Sequence, residues 1–132
     1  IPQAIGMNNH QGSMATSDLR VMNFVAEVLK EENKFFVDSR TTPETVAEET
    51  MRLWRVPFAQ RNVFLDNDLE EEKILAQLDY LAEIAERDGY AIGIGHVKSS
   101  TLEVLKIKIP DLINEGFVFE NVSKIIALDS VN

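Results

Sequence analysis

The chain has no cysteine, one tryptophan and two histidines in 132 residues. Without thiols it can build neither a disulfide framework nor a thiolate metal site, so any bound ion must be held by His, Asp or Glu. Long apolar runs are missing too. Stretches such as Ile125-Ile126-Ala127-Leu128 fall far short of the roughly 18 to 20 residues of a membrane helix, so no span is expected. Positive charge is scarce: 22 acidic side chains face 13 basic ones, a net charge of −9 that repels phosphate backbones and argues against nucleic acid as a partner. An initiator Met and a charged-then-apolar leader are absent, and Ile1-Pro2 runs straight into a strand-like segment, so further sequence is expected upstream.

What is present is enough for a core. With 45% hydrophobic residues, positions 1–132 read as a single domain in which short apolar runs alternate with helical periodicity. Ala4 to Met7 is the first run, and Ser17-Asp18 then caps a helix whose apolar face is Leu19, Met22, Val25, Ala26 and Leu29. Phe35-Phe36-Val37 is the second run. Thr42 and Pro43 suit the cap and first position of a helix buried through Val46, Ala47, Thr50, Met51 and Trp54, ending at Arg55 and Val56-Pro57.

The third run, Arg61 to Leu65, precedes an acidic helix start at Glu70, Glu71 and Glu72. Ile74, Leu75, Leu78, Leu81, Ala82 and Ala85 continue that helix up to Gly89. Tyr90 to Gly95 is the fourth run, and Ser100-Thr101-Leu102-Glu103 reads as a capping box for a helix that Pro110 interrupts or restarts and Gly116 closes. Phe117-Val118-Phe119 reads as a last strand, followed by a turn from Ser123 to Leu128. The pattern βαβαβαβαβ predicts an α/β fold of parallel (β/α) repeats, with its site at the carboxyl ends of the strands.

Four polar groups stand at those ends: Asn8-Asn9-His10, Asp38-Ser39-Arg40, Asp66-Asn67-Asp68 and Gly95-His96. Parallel geometry predicts that they share one rim, with both histidines on it. Each has a purely structural reading as well. Asp68 and Ser100 suit helix caps, as do Ser13, Thr16 and Ser17, and Arg40 can simply pair with Asp38 or Asp66. The acidic run from Asp66 to Glu72 lacks EF-hand spacing, Gly93-Ile94-Gly95 lacks a dinucleotide fingerprint, and neither a Walker motif nor a Gly-x-Ser-x-Gly elbow occurs. Two imidazoles with one or two carboxylates suit hydrolysis at a metal, or a histidine acting as general acid or base.

The strings NNHQGS, FFVDSRTTPETVAEETM, VPFAQRNVFLDN and YAIGIGHVKSSTLEVL, in this order and with these gaps, resemble the divergent polysaccharide deacetylase family from roughly Ile5 to Ser123. NNH-x-GS with DSRT is the specific pairing. The resemblance implies part of a distorted (β/α) barrel, here its C-terminal portion. It also implies a hydrolase that removes N-acetyl groups from a polysaccharide or cell-wall glycan with a divalent metal, zinc first among them. An extracellular or periplasmic location in a bacterial envelope follows from the same likeness. Carried over by position, His96 is the catalytic acid, with Asp38 and Arg40 orienting or charge-balancing the site. His10 is a metal or substrate ligand, and Asn8, Asn9, Ser13 and Asp66 contact substrate. The chain departs from the family at Gln11 (usually Met), Asn62 (usually Asp) and Val97 (usually Pro), and an aspartate pair and further histidine of the family have no counterpart here. The competing readings are a non-catalytic deacetylase-like domain that binds glycan or an envelope partner, and a metal hydrolase acting on a phosphate or amide.

Overall fold

Three parallel strands in the order β1 (Gly6–Asn8), β2 (Phe35–Asp38) and β3 (Phe58–Gln60) form one sheet of the computed structural model, which describes residues 3–129, with side chains up to Ile126. The chain divides into two compact units, one running to Gln60 and taking in a late helix, the other spanning Arg61–Asn121.

In the first unit, β1 returns to β2 through the single turn α1 (Ser13–Thr16) and α2 (Leu19–Glu31), and β2 returns to β3 through α3 (Ala47–Trp54). Both crossovers join parallel neighbours, as a (β/α) repeat requires. The cap of α2 is Asp18 rather than Ser17, one residue later than expected, its Oδ1 accepting the N–H groups of Arg20 and Val21. Met22, Ala26 and Leu29 are buried, while Leu19 at the helix entrance is half exposed. The other helix begins later than its sequence indicates. Thr42 and Pro43 lie in a turn, with the Thr42 hydroxyl on Glu44, and Ala47 opens α3 because Thr45 turns its hydroxyl back onto Asp38.

The core of this unit packs Met22, Ala26, Leu29, Phe36, Ala47, Met51 and Val56 together. Phe36 stacks on Phe58 of the neighbouring strand, with ring centroids 6.4 Å apart. At Gly6 a Cβ would lie 2.3 Å from the Phe35 ring, so only glycine lets that ring cross the strand. A strand at 58–60 is not expected from the sequence, whose third run is Arg61 to Leu65; pairing with β2 makes it one. The late helix, α6 (Val122–Asp129), lies against β3 and replaces the turn expected at 123–128. Residues 130–132 lie outside the described residues.

In the second unit, β4 (Val63–Phe64) pairs in parallel with β5 (Gly93–Ile94) across α4 (Glu71–Asp88), and α5 (Ser99–Asn114) follows. Helix α4 is as the sequence predicts. Glu71 and Glu72 occupy its first turn, Ile74 and Leu78 are buried, and Gly89 closes it at φ 89°. Helix α5 is not interrupted at Pro110, because Val104 and Leu112 are buried on either side of it and hold the helix across the missing N–H. The expected capping box does not form. Lys98 is the N-cap with no side-chain bond, Thr101 spends its hydroxyl on Asp66, and Glu103 pairs with Lys106.

The expected strand at 117–119 is likewise absent. Gly116 N–H donates to the Ile113 carbonyl and Phe117 N–H to that of Leu112, so Phe117 finishes the helix, and Val118 and Phe119 are exposed.

Candidate functional site

Both units carry polar groups at the carboxyl ends of their strands. In the first, β1 runs into Asn9 and β2 into Ser39, and the two ends are tied together. Ser39 N–H donates to Asn9 Oδ1 at 2.7 Å, its hydroxyl donates to the Asn9 carbonyl at 2.6 Å, and Asn8 Nδ2 donates to the Ser39 hydroxyl at 3.2 Å. Parallel pairing opposite Asn8 and Val37 places these residues side by side. Ser13 reaches the same edge from α1, its hydroxyl donating to Thr41.

Asp38 is buried at the end of β2. One carboxylate oxygen accepts the Arg40 N–H and the other the Thr45 hydroxyl, each at 2.8 Å. The first of these bonds closes a side-chain turn that holds Arg40 at φ 48°, a left-handed backbone that residues with a Cβ rarely adopt. From there the Arg40 guanidinium crosses to the end of β3, where Nη1 donates to Gln60 Oε1 at 2.9 Å. Arg40 thus meets Asp38 through its backbone, and its guanidinium is directed to Gln60.

In the second unit Asp66 follows β4 and His96 follows β5, and they form a pair. Asp66 Oδ1 is 3.0 Å from His96 Nδ1, while Oδ2 accepts the His96 N–H at 2.6 Å and the Thr101 hydroxyl at 2.8 Å. The carboxylate has no solvent exposure, whereas the imidazole is 43% exposed. Burial alone would push the Asp66 carboxyl up. The hydrogen bonds from the His96 backbone, the Thr101 hydroxyl and the His96 ring, with the ring's charge, outweigh burial and hold Asp66 below the usual carboxylate range. An ionised carboxylate can only accept, so Nδ1 carries the shared proton. Phe64 flanks the imidazole with centroids 5.5 Å apart, and Arg61 lies 5.1 Å over the other ring.

The pair also predicts a pH effect on stability. A depressed folded-state pKa contributes stability that is full above the unfolded value of about 4 and is lost as pH falls through the lower folded value. The stability difference between the wild type and Asp66→Asn is therefore expected to narrow as pH falls below about 4, read from denaturant midpoints at pH 5 and pH 3.

The geometry just described sits in a recognisable sequence. The profile of the divergent polysaccharide deacetylase family matches residues 1–126. The chain belongs to this family. Relatives of this deacetylase-family chain include an uncharacterized protein of Haemophilus influenzae, 37% identical over 112 residues that make up 85% of this chain and 40% of that protein. Escherichia coli YibQ, also uncharacterized, is 37% identical over 112 residues, 85% of this chain and 35% of its own length. The chain thus spans well under half of either relative. The crystal structure of an uncharacterized Agrobacterium tumefaciens protein superposes with a TM-score of 0.89 at 21% identity, covering 92% of this chain and 49% of that one, which establishes the fold.

Of the residues the sequence singles out in this family member, the structure groups Asn8, Asn9, Ser13, Asp38 and Arg40 at one unit's strand ends and joins Asp66 to His96 in the other. Asp66 is placed against the imidazole rather than open to solvent, so it acts on His96. His10 is exposed on the loop after β1. Among the described residues no three His, Asp or Glu side chains come together as an ion requires, so they do not by themselves fit the metal that the family resemblance implies. Thr45, Gln60 and Thr101 are contacts that sequence reasoning does not find. Thr101 lies 35 positions from Asp66, and only parallel pairing of β4 with β5 makes them neighbours.

Proposed function

We propose that the chain is the part of a carbohydrate de-N-acetylase that holds its proton-transfer group, acting on an N-acetylated polysaccharide or cell-wall glycan. The observation that carries this reading is the Asp66–His96 pair, a buried, triply hydrogen-bonded carboxylate that fixes the tautomer of a half-exposed imidazole. Amide hydrolysis adds water to the acetyl carbon and breaks the C–N bond. The departing nitrogen needs a proton, since an amide anion is far too basic to leave. Protonated His96 supplies that proton from Nε2, and Asp66 stabilises the imidazolium beforehand.

Asp38 and Arg40 serve this reading as positioning groups at the strand ends of their own unit, and Asn8, Asn9 and Ser13 as contacts to sugar. A divalent ion, zinc by expectation, would be held in part by His10 and would supply polarisation of the acetyl carbonyl. Because the described residues contain no three-donor group, no step here runs through an ion. The same reading takes the chain as the C-terminal portion of a (β/α) barrel working outside the cytoplasm or in the periplasm, where such polymers lie.

Acetate release from chitin-type and peptidoglycan-type oligomers, measured on the full-length protein with zinc or cobalt supplied, tests the proposal. Release that depends on the N-acetyl group is the expected result. No release on any of these substrates, with glycan binding that survives dialysis against a chelator, would replace it by the non-catalytic binding domain.

A further inference from the structure

We infer that the side-chain amide of Asn9 is a binding donor for the carbonyl oxygen of a secondary amide, the acetamido group of an N-acetylated sugar being the ligand class it takes. The inference rests on the proposed glycan substrate for the identity of the ligand and on the following geometry for the existence of the site.

Asn9 is only 9% exposed. Its Oδ1 faces the Ser39 N–H at 2.7 Å, and because a backbone N–H can only donate, the atom there must be oxygen. The amide cannot flip. Nδ2 is therefore held on the opposite side with two N–H groups, and it is the one buried side-chain nitrogen or oxygen among the described residues that has no hydrogen-bond partner. Folded proteins leave few such donors, because each forfeits its bonds to water without replacement.

Gly12, on the loop that follows β1, lies against the Asn9 side chain. A Cβ on Gly12 would lie 3.1 Å from Asn9 Cβ, a tight approach, and 3.7 Å from Nδ2, an ordinary contact, so the Gly12 backbone packs closely on this side chain. Gln11 is held at φ 53°, a strained conformation for a residue with a Cβ, while the Gly12 carbonyl is clamped by the Thr16 N–H at 2.8 Å and hydroxyl at 3.1 Å. A ligand reaches Nδ2 only when the Gln11–Gly12 backbone moves off the Asn9 side chain, and that movement is part of the inference.

The chemistry selects the ligand. A group offering only donors is completed by an atom that only accepts. A sugar hydroxyl brings a proton that needs its own acceptor, and an anion is opposed by the net charge of −9. The carbonyl oxygen of an acetamido group meets both conditions.

The test uses the full-length protein labelled with nitrogen-15, in which the Asn9 side-chain NH2 signals are identified from wild-type spectra and by their loss in Asn9→Asp. Titration with the N-acetylglucosamine trimer is expected to shift both Asn9 protons to saturation, and the glucosamine trimer is expected to leave them in place. Asn9→Asp is expected to weaken binding of the N-acetylated trimer about tenfold or more. Signals that move with neither trimer, or equally with both, overturn the inference, and the wild-type titration decides even if the variant fails to fold. Acetate release with silent Asn9 signals would overturn this inference alone. Responsive signals without acetate release would leave the acetamido site standing and remove the deacetylase reading.

Discussion

Replacing His96 by Ala in the full-length protein is expected to lower acetate release from N-acetylated oligomers about 10²- to 10⁴-fold, the range a positioned general acid supplies. The loss should fall on kcat with little change in KM, because the proton is needed only as the C–N bond breaks. The thermal midpoint should also fall modestly, because Asp66 Oδ1, in a carboxylate with no solvent exposure, loses its bond from Nδ1, so the kcat loss is read at a temperature where the variant is folded. Asp66→Asn is the sharper variant. An amide in place of the carboxylate loses the charge that stabilises the imidazolium. Where its NH2 faces Nδ1, it forces the proton onto Nε2 and leaves the ring in the wrong tautomer. A loss of the same order is expected for Asp66→Asn, with the His96 ring still in place. Unchanged rates in both variants, on a wild type that does release acetate, would remove the pair from the mechanism.

Truncating Phe36 to Ala is expected to cost about 3–5 kcal/mol of folding stability, the usual range for a fully buried aromatic. Phe36 is 1% exposed on the middle strand of its sheet, packs on Phe58 and stands two residues before Asp38. Removing the ring therefore empties the core directly beneath the Asp38–Arg40 turn. Denaturant unfolding reads the effect as a lowered midpoint, and Phe36→Leu, which keeps most of the volume, should lose clearly less. A cost below about 1 kcal/mol for Phe36→Ala would mean that the neighbouring helices close the void.

Much of this arrangement is legible in the chain. Asp18 announces the start of α2, and the spacing of Ile74 and Leu78 announces the buried face of α4. Both signals are local, because a cap and a helical stripe are complete within a few residues. Thr42-Pro43 and Ser100-Thr101 carry equally good cap signals that the fold does not use. In each case a threonine nearby turns to a buried carboxylate at or just past a strand end, Thr45 to Asp38 and Thr101 to Asp66, and that demand outweighs a cap that water can replace. Phe117 fails as a strand residue for a related reason, since its N–H is taken by the end of α5.

By itself, the sequence determined the parallel (β/α) alternation, the absence of thiol chemistry and the placing of Asn9, Asp38, Asp66 and His96 at strand ends. These follow from composition and from periodicities of two to four residues. Only the tertiary structure decided what each end does. It joined Asp66 to His96 across 30 positions, sent the Arg40 guanidinium to Gln60, and left the Asn9 amide buried without an acceptor. Those outcomes depend on which strands pair and in which register, and register is set by the packing of whole strands and helices rather than by any short stretch of chain.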